Sequence, residues 1–114
     1  MPDTYLEFNL PEEVAQLRRE PDSSTGRKAK TLISTGDFRT VLMVLRAHAQ
    51  LATHRAPGRI SIHVIDGTIQ VRAEGRTFAL PAGTLLTLER GVPHDVEALD
   101  ESAFLLTVSV STNS

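Results

Sequence analysis

Short apolar runs separated by turn residues dominate the chain from residue 38 onward. The clearest pair covers residues 60–65 and 68–73, and the Asp66-Gly67 dipeptide between them is a strong signal for a β-hairpin. With a candidate strand near the N-terminus, about eight short strands with turns every ~8–12 residues predict an all-β sandwich, jelly roll or small barrel. The other apolar runs cover residues 38–47, 76–80, 84–88, 94–99 and 103–110.

The N-terminal third follows a different pattern. Apolar residues recur at helical spacing behind a proline suited to a first turn, which predicts a helix over residues 10–20. We expect residues 1–37 to form an N-terminal extension with a short strand, this helix, a polar loop and a candidate strand at 30–34. Residues 38–114 then form a single barrel domain, and its first strand, apolar on both faces, is expected between two packed layers.

Composition narrows the classes of function. The chain has 114 residues, enough for one core, and its net charge of −2 gives no strongly basic surface, so we expect no nucleic-acid partner. No stretch approaches the ~18 apolar residues of a membrane span, and no signal peptide is visible, so we expect no membrane association. The absence of cysteine excludes disulfides and a thiolate nucleophile, and it fits the expected cytoplasmic location.

Residues 83–94 carry a recognisable motif. Gly83 is followed by five residues, Glu89, Gly91 and, after two more residues, His94. This resembles the second conserved stretch of the cupin superfamily, with Glu89 in the place of the usual proline. The resemblance covers roughly residues 38–110. It implies a double-stranded β-helix jelly roll, similar to RmlC-like cupins, with a divalent metal held inside the barrel by three histidines and a glutamate.

The first cupin stretch is present only as a frame. Gly67 matches its closing glycine, and counting back places Ile60 at the glutamate position. Ala56 then stands at the second histidine position, His54 at the first, and His48 at the opening glycine. The resemblance therefore implies a degenerate metal site in which two of the four usual ligands are replaced.

The remaining histidines define the candidate site. His54 and His94 are candidate catalytic residues and candidate metal ligands, for zinc, iron, nickel, manganese or copper, although catalytic zinc sites use three protein ligands. His48 is a candidate third ligand, but an exposed histidine at a strand edge is the simpler interpretation. The resemblance also implies a ligand pocket at His54, Ala56, Ile60, Ile62 and His94.

Neighbouring polar residues have two interpretations each. If Ile60 faces the cavity, strand alternation turns His63 outward, toward the outer sheet face or a subunit contact. Arg55 and Arg59 flank the Pro-Gly turn, where they either meet an anionic ligand or lie solvated on a loop.

The N-terminal lead-in bears on activity and assembly. Metal-free cupin epimerases pair a histidine base with a tyrosine acid, but the single tyrosine here, Tyr5, lies far from the motifs in sequence. Exposed strand edges in so small a barrel favour a homodimer. Tyr5, Leu6 and Phe8 fit a contact with another strand or with a partner chain.

Three functions remain open from the sequence. The first is binding of a small molecule in a barrel with a degenerate metal site, favoured by Ala56 and Ile60. The second is a metal-dependent enzyme of the dioxygenase or isomerase type. The third is a structural or assembly protein whose barrel is filled by its own side chains. One fold hosts many functions, so the fold cannot choose among them.

Overall fold

Two antiparallel β-sheets and one helix make up the computed structural model, which describes residues 4–110. This architecture confirms the predicted all-β jelly roll with one short N-terminal helix. The strand order is β1-β2-β9-β4-β7 in one sheet and β3-β8-β5-β6 in the other. The elements are α1 (Leu10–Arg19), β1 (Arg27–Ser34), β2 (Phe38–Leu45), β3 (Gln50–His54), β4 (Arg59–Asp66), β5 (Thr68–Ala73), β6 (Arg76–Pro81), β7 (Leu85–Leu88), β8 (His94–Ala98) and β9 (Ser102–Ser109).

Helix α1 begins and ends where its sequence requires. The side chain of Asn9 caps the first turn by accepting a hydrogen bond from the Glu12 amide at 3.1 Å. The helix ends at Arg19, one residue before the predicted end. Glu20 is extended because it precedes Pro21, and the residue before a proline disfavours helical geometry. No helix within the described residues is long and apolar enough to cross a membrane.

Two expectations for the N-terminal region need correction. Residues 4–9 form no strand, because their backbone has no neighbouring strand to pair with; residues 1–3 lie outside the described part. The strand expected at 30–34 begins earlier, at Arg27, and pairs along its length with β2. The first residues of β1 are polar, and backbone pairing rather than apolar side chains holds them in place. β1 forms one edge of the five-stranded sheet.

Strand β2 lies between two packed layers, as its doubly apolar pattern predicted. On one face, Leu42 and Val44 cluster with Val14 and Leu17 of the helix. On the other face, Leu45 belongs to the core between the two sheets. The strand ends at Leu45 rather than at residue 47, because the chain turns there through a residue with positive φ (His48, 72°).

The barrel core fills the space between the sheets with apolar side chains. Partly buried apolar residues pack against its margins. Val64, Ile69, Val71 and Ala98 have no exposed surface, and Phe104 is 1% exposed. The other buried members are Leu45, Ala49, Ile60, Ile62, Leu80 and Val96, and the partly buried ones are Met43, Leu51, Ala56, Phe78, Leu86, Leu88, Leu106 and Val108.

Strand β3 is the element that the sequence pattern did not reveal. Leu51 is partly buried, and the other four residues of the strand are exposed, so no apolar alternation marks it. β3 lies at one edge of the four-stranded sheet and pairs with β8. This edge strand carries His54 at its last position.

Candidate functional site

His54 and His94 lie directly opposite each other on the adjacent strands β3 and β8. The centroids of their imidazole rings are 4.3 Å apart, and the ring planes are inclined by 57°. The two residues are distant in sequence, so only the antiparallel pairing of their strands brings the rings together. The structure thus unites the two histidines that the sequence selected as candidates.

A bulge in β3 turns His54 to the same side of the sheet as His94. Pairing runs from Leu51↔Val96 to His54↔His94, so three steps along β3 match two along β8. Regular alternation would instead have placed Thr53 opposite His94. The extra residue therefore aligns His54 with Leu51 on the face that contacts the barrel core.

Each imidazole is held by a nearby backbone carbonyl. The Nδ1 atom of His54 lies 3.2 Å from the carbonyl oxygen of Ala52, and that of His94 lies 3.0 Å from the carbonyl oxygen of Val92. Because a carbonyl oxygen only accepts hydrogen bonds, both Nδ1 atoms act as donors. In its neutral form, each ring then presents Nε2 as a hydrogen-bond acceptor.

The two rings differ in burial, but both have an Nε2 atom without a described partner. His94 is 3% exposed, whereas His54 is exposed. Within residues 4–110 neither Nε2 atom has a hydrogen-bond partner, and Nε of Arg18 is the one buried polar side-chain atom left unpaired there. The Nε2 atom of His94 is thus left without a partner among the described residues, although most of its residue is buried.

Two cross-linked loops position the histidines. Residues 55–58 follow His54, and residues 89–93 precede His94. The Nη1 atom of Arg55 donates to the carbonyl oxygen of Gly91 at 3.3 Å, and the Gly91 amide donates to the carbonyl oxygen of Ala56 at 3.1 Å. We call the barrel end formed by these two loops the mouth.

The family model of the cupin domain matches residues 41–110, which is more than half of the chain. The chain belongs to the cupin family. The matched region contains both histidines and eight of the nine strands in whole or in part. A comparison with curated proteins gives no significant match.

Solved cupin structures share this fold at low sequence identity. A conserved protein of unknown function from Streptococcus pyogenes is 18% identical with a TM-score of 0.78, over 99% of this chain and 93% of its own. An RmlC-like cupin from Shewanella frigidimarina is 20% identical with a TM-score of 0.73, over 81% and 83%. A salicylate 1,2-dioxygenase mutant from Pseudoaminobacter salicylatoxidans is 21% identical with a TM-score of 0.71, over 86% of this chain but 31% of its own. These identities establish the fold alone.

Apolar side chains occupy two of the positions where the cupin motif has ligands. Ile60 is 2% exposed and belongs to the barrel core, and Ala56 packs against the same core. Ile62, on the same face of β4, is 1% exposed. None of these three side chains offers a donor atom. The predicted pocket residues thus comprise one polar pair, His54 and His94, and three apolar residues, Ala56, Ile60 and Ile62. These three form part of what we call the apolar wall.

The other two histidines lie away from the pair. The amide of His48 donates to the carbonyl oxygen of Ala98 at 2.8 Å, at the opposite end of β8 from His94. Four residue steps along the strand separate these ends by roughly 13 Å, so the structure does not bring His48 to the pair as a third ligand. His63 is exposed between buried neighbours on β4, as alternation predicted.

The donor set fits a metal ion poorly. Hydrogen bonds from Nδ1 to a carbonyl are of the kind that orients metal-binding imidazoles. Zinc sites, however, use at least three protein ligands. In the described part of the chain, no three His, Cys, Asp or Glu side chains are grouped closely enough to hold an ion. His54 and His94 alone therefore do not form a complete metal site.

Glu89 makes the contact at the mouth that the sequence interpretation missed. The Nε and Nη2 atoms of Arg59 donate to its two carboxylate oxygens at 3.0 and 3.1 Å. The hydrogen bonds and the charge of Glu89 raise the pKa of Arg59 above its ordinary value. No local signal links the two residues, because only the pairing of β4 with β7 brings them together.

Tyr5 has no place in the barrel core. Its side chain is 83% exposed on the lead-in to α1. The structure therefore gives no support to a tyrosine acid that acts beside the histidine pair within one chain.

Proposed function

We propose that this cupin binds a small, partly apolar molecule at the mouth of its barrel, beside His54 and His94. The observation that carries the proposal is the pair of imidazoles on adjacent strands, whose Nδ1 atoms bond to the backbone and whose Nε2 atoms have no partner among the described residues. Ligand sites in proteins typically combine an apolar lining with a few placed polar groups. The histidine pair and the neighbouring apolar wall supply both.

The replacement of a metal ligand by Ile60 supports this function over metal chemistry. A glutamate at this position would place a carboxylate among buried apolar side chains, whereas isoleucine makes the wall continuous with Val108, its pairing partner on β9. Partly exposed apolar residues such as Leu88 border this wall. An apolar body of a ligand gains free energy by covering such surface.

A thermal-shift screen with matched histidine variants tests the proposal. We expect some compounds of a small-molecule library to raise the Tm of the wild-type protein, since a ligand at 100 times its Kd adds about 2.7 kcal/mol of stability. The same compounds should lose most of their effect on His54→Ala and His94→Ala. His63→Ala is the control, because His63 is an exposed histidine on the outer face.

Two outcomes of the screen would contradict ligand binding at the pair. If no compound stabilises the wild-type protein, a structural or assembly role with a filled barrel becomes the better interpretation. If the shifts persist in both histidine variants, the binding site lies elsewhere on the molecule.

A metal-dependent enzyme is the second candidate. The specific observation in its favour is the Nδ1–carbonyl geometry of both histidines, which leaves both Nε2 atoms free to bind an ion. A salicylate dioxygenase among the structural neighbours shows that this fold accommodates enzymes. The missing third ligand weighs against this candidate.

Assembly and location form a further part of the proposal. We infer a homodimer, supported by the exposed apolar residues Tyr5 and Leu6, which are 83% and 55% exposed, and by the free edge of β1. Sedimentation at micromolar concentration tests this, and a monomer would contradict it. The absence of cysteine from the whole sequence supports a reducing compartment such as the cytoplasm.

A further inference from the structure

Arg55 in the mouth and Arg59 just beyond it, at the start of β4, differ in how their charge is balanced. Arg59 forms a two-point ion pair with Glu89, with both contacts near 3 Å. Arg55 donates a single bond, at 3.3 Å, to the uncharged carbonyl of Gly91. Among the described residues no carboxylate lies within ion-pair distance of Arg55. Arg55 therefore keeps a full positive charge and several free N–H donors.

Arg55 belongs to the loop that follows His54 and bonds to the loop that precedes His94. Arg55 directly follows His54 in the chain, and its guanidinium reaches Gly91, three residues before His94. The side chain thus connects the loop that follows His54 with the loop that precedes His94. A guanidinium with free donors in a planar fork matches the two oxygens of a carboxylate.

The site then offers two groups of opposite kinds. Arg55 can pair with an acceptor of negative charge, whereas the Nε2 atoms of His54 and His94 can accept a hydrogen bond from a donor. On the basis of the proposed small-molecule function, we propose that the ligand is a small organic acid that also carries a hydroxyl or amino group. Its carboxylate pairs with Arg55, its donor bonds to Nε2 of the histidine pair, and its carbon skeleton covers partly exposed apolar residues that border the wall, such as Leu88.

A matched set of compounds separates the two requirements. The set contains small aliphatic and aromatic hydroxy acids, each with its O-methyl ether, which lacks the donor, and its primary amide, which lacks the charge. Binding is followed by NMR through the imidazole C–H signals of His54 and His94, assigned with the alanine variants. We expect the hydroxy acids to bind at least about tenfold more tightly than either derivative, since hydrogen bonds to charged groups are among the stronger ones.

Arginine variants identify the residue that holds the carboxylate. Arg55→Gln should weaken the hydroxy acids about tenfold or more and leave the amides unchanged, and Arg55→Lys should restore part of the loss. Arg19→Gln is the control, with less than about a twofold effect, because it removes the same charge from an exposed residue of helix α1, outside the mouth. If Arg55 only braced the loops, Arg55→Gln would weaken acids and amides equally.

The outcomes distinguish the ligand class from the ligand site. Equal binding of acids and amides, or no effect of Arg55→Gln on the acids, would overturn the assignment of an organic acid but leave the site at the histidine pair intact. If no compound of any class perturbs the His54 and His94 signals, while the thermal-shift hits do, the assignment is also wrong. If neither the set nor the library perturbs them, the proposed function itself fails.

Discussion

The closed end of the barrel and its mouth are built differently. At the closed end, formed by residues 66–68 and 99–102, Ser102 has no exposed surface, and its single hydroxyl proton lies between Asp100 O at 2.7 Å and Thr68 O at 3.1 Å from Oγ, while the Asp100 carboxylate accepts from the Thr68 amide at 2.7 Å. At the mouth, exposed side chains such as Arg55 cross-link the loops, and the Nε2 atoms of the histidine pair have no described partner. At the closed end, the buried hydroxyl of Ser102 is bonded within the chain, whereas the mouth leaves acceptors and a charge available.

This difference indicates which end of the barrel contributes most to stability and which contributes most to binding. Tightly packed residues with satisfied hydrogen bonds tolerate little change. Accessible, unpaired polar groups contribute little to folding, and they are the groups that a ligand can engage. We therefore expect substitutions at the closed end to lower stability most, and substitutions at the mouth to affect binding most.

Glycine substitutions give the largest expected contrast between the two ends. Gly67 and Gly91 both have positive φ, 76° and 79°. A Cβ at Gly67 would lie 2.2 Å from the Glu101 carbonyl oxygen, whereas a Cβ at Gly91 would meet nothing within 4 Å. We expect Gly91→Ala to cost about 1 kcal/mol of unfolding free energy from conformation alone, and Gly67→Ala a further 1–3 kcal/mol, roughly, from overlap. Urea denaturation measures the free energy of unfolding of both variants. Equal losses would contradict the expected difference between the two ends.

Two valines of the barrel wall allow the two ends of the barrel to be compared with one and the same substitution, valine to alanine. Val64 is completely buried beside Phe104, whereas Val108 is partly exposed beside Ile60 nearer the mouth. Val64→Ala should lower the free energy of unfolding by about 2 kcal/mol, and Val108→Ala by about 1 kcal/mol or less, because less surface and a smaller cavity are involved. Chemical denaturation of the two variants provides the test. A larger loss for Val108→Ala would place the rigid part of the core at the mouth.

The ion pair at the mouth should contribute the least. Arg59 and Glu89 are 65% and 72% exposed in their side chains, so water and salt screen their attraction. We expect Arg59→Gln to change the Tm by no more than the scatter between ordinary surface variants. A marked fall in Tm would show that this pair, rather than the packing behind it, holds the loops of the mouth.

The local elements were largely readable in the sequence. Asp66-Gly67 located the turn between β4 and β5, but the predicted hairpin is wrong, because the two strands lie in different sheets and pair with other strands. The two apolar faces of β2 indicated its place between two packed layers, which are the helix and the barrel core. Strand β3 was not readable, because it is an exposed edge strand with one partly buried side chain.

The candidate site was readable only in part. The spacing of the cupin motif indicated His54 and His94 as candidates. Their pairing depends on a bulge in β3, and no residue type in the sequence predicts that bulge. The Nδ1 hydrogen bonds to the carbonyls of Ala52 and Val92 are backbone contacts, which are independent of residue identity. The contrast between Arg55 and Arg59 arises from strand pairing far apart in sequence.

Metal content is the most direct test of the claim that the histidine pair is a ligand site rather than a metal centre. The measurement is elemental analysis of untagged protein after incubation with zinc, iron, nickel, copper or manganese and removal of free ion, for the wild type, His54→Ala and His94→Ala. We expect well below one equivalent of any ion per protein chain, with no difference among the three proteins, because two imidazoles lack a third protein ligand. About one equivalent in the wild type, lost in both variants, would contradict it and favour the metal-dependent enzyme.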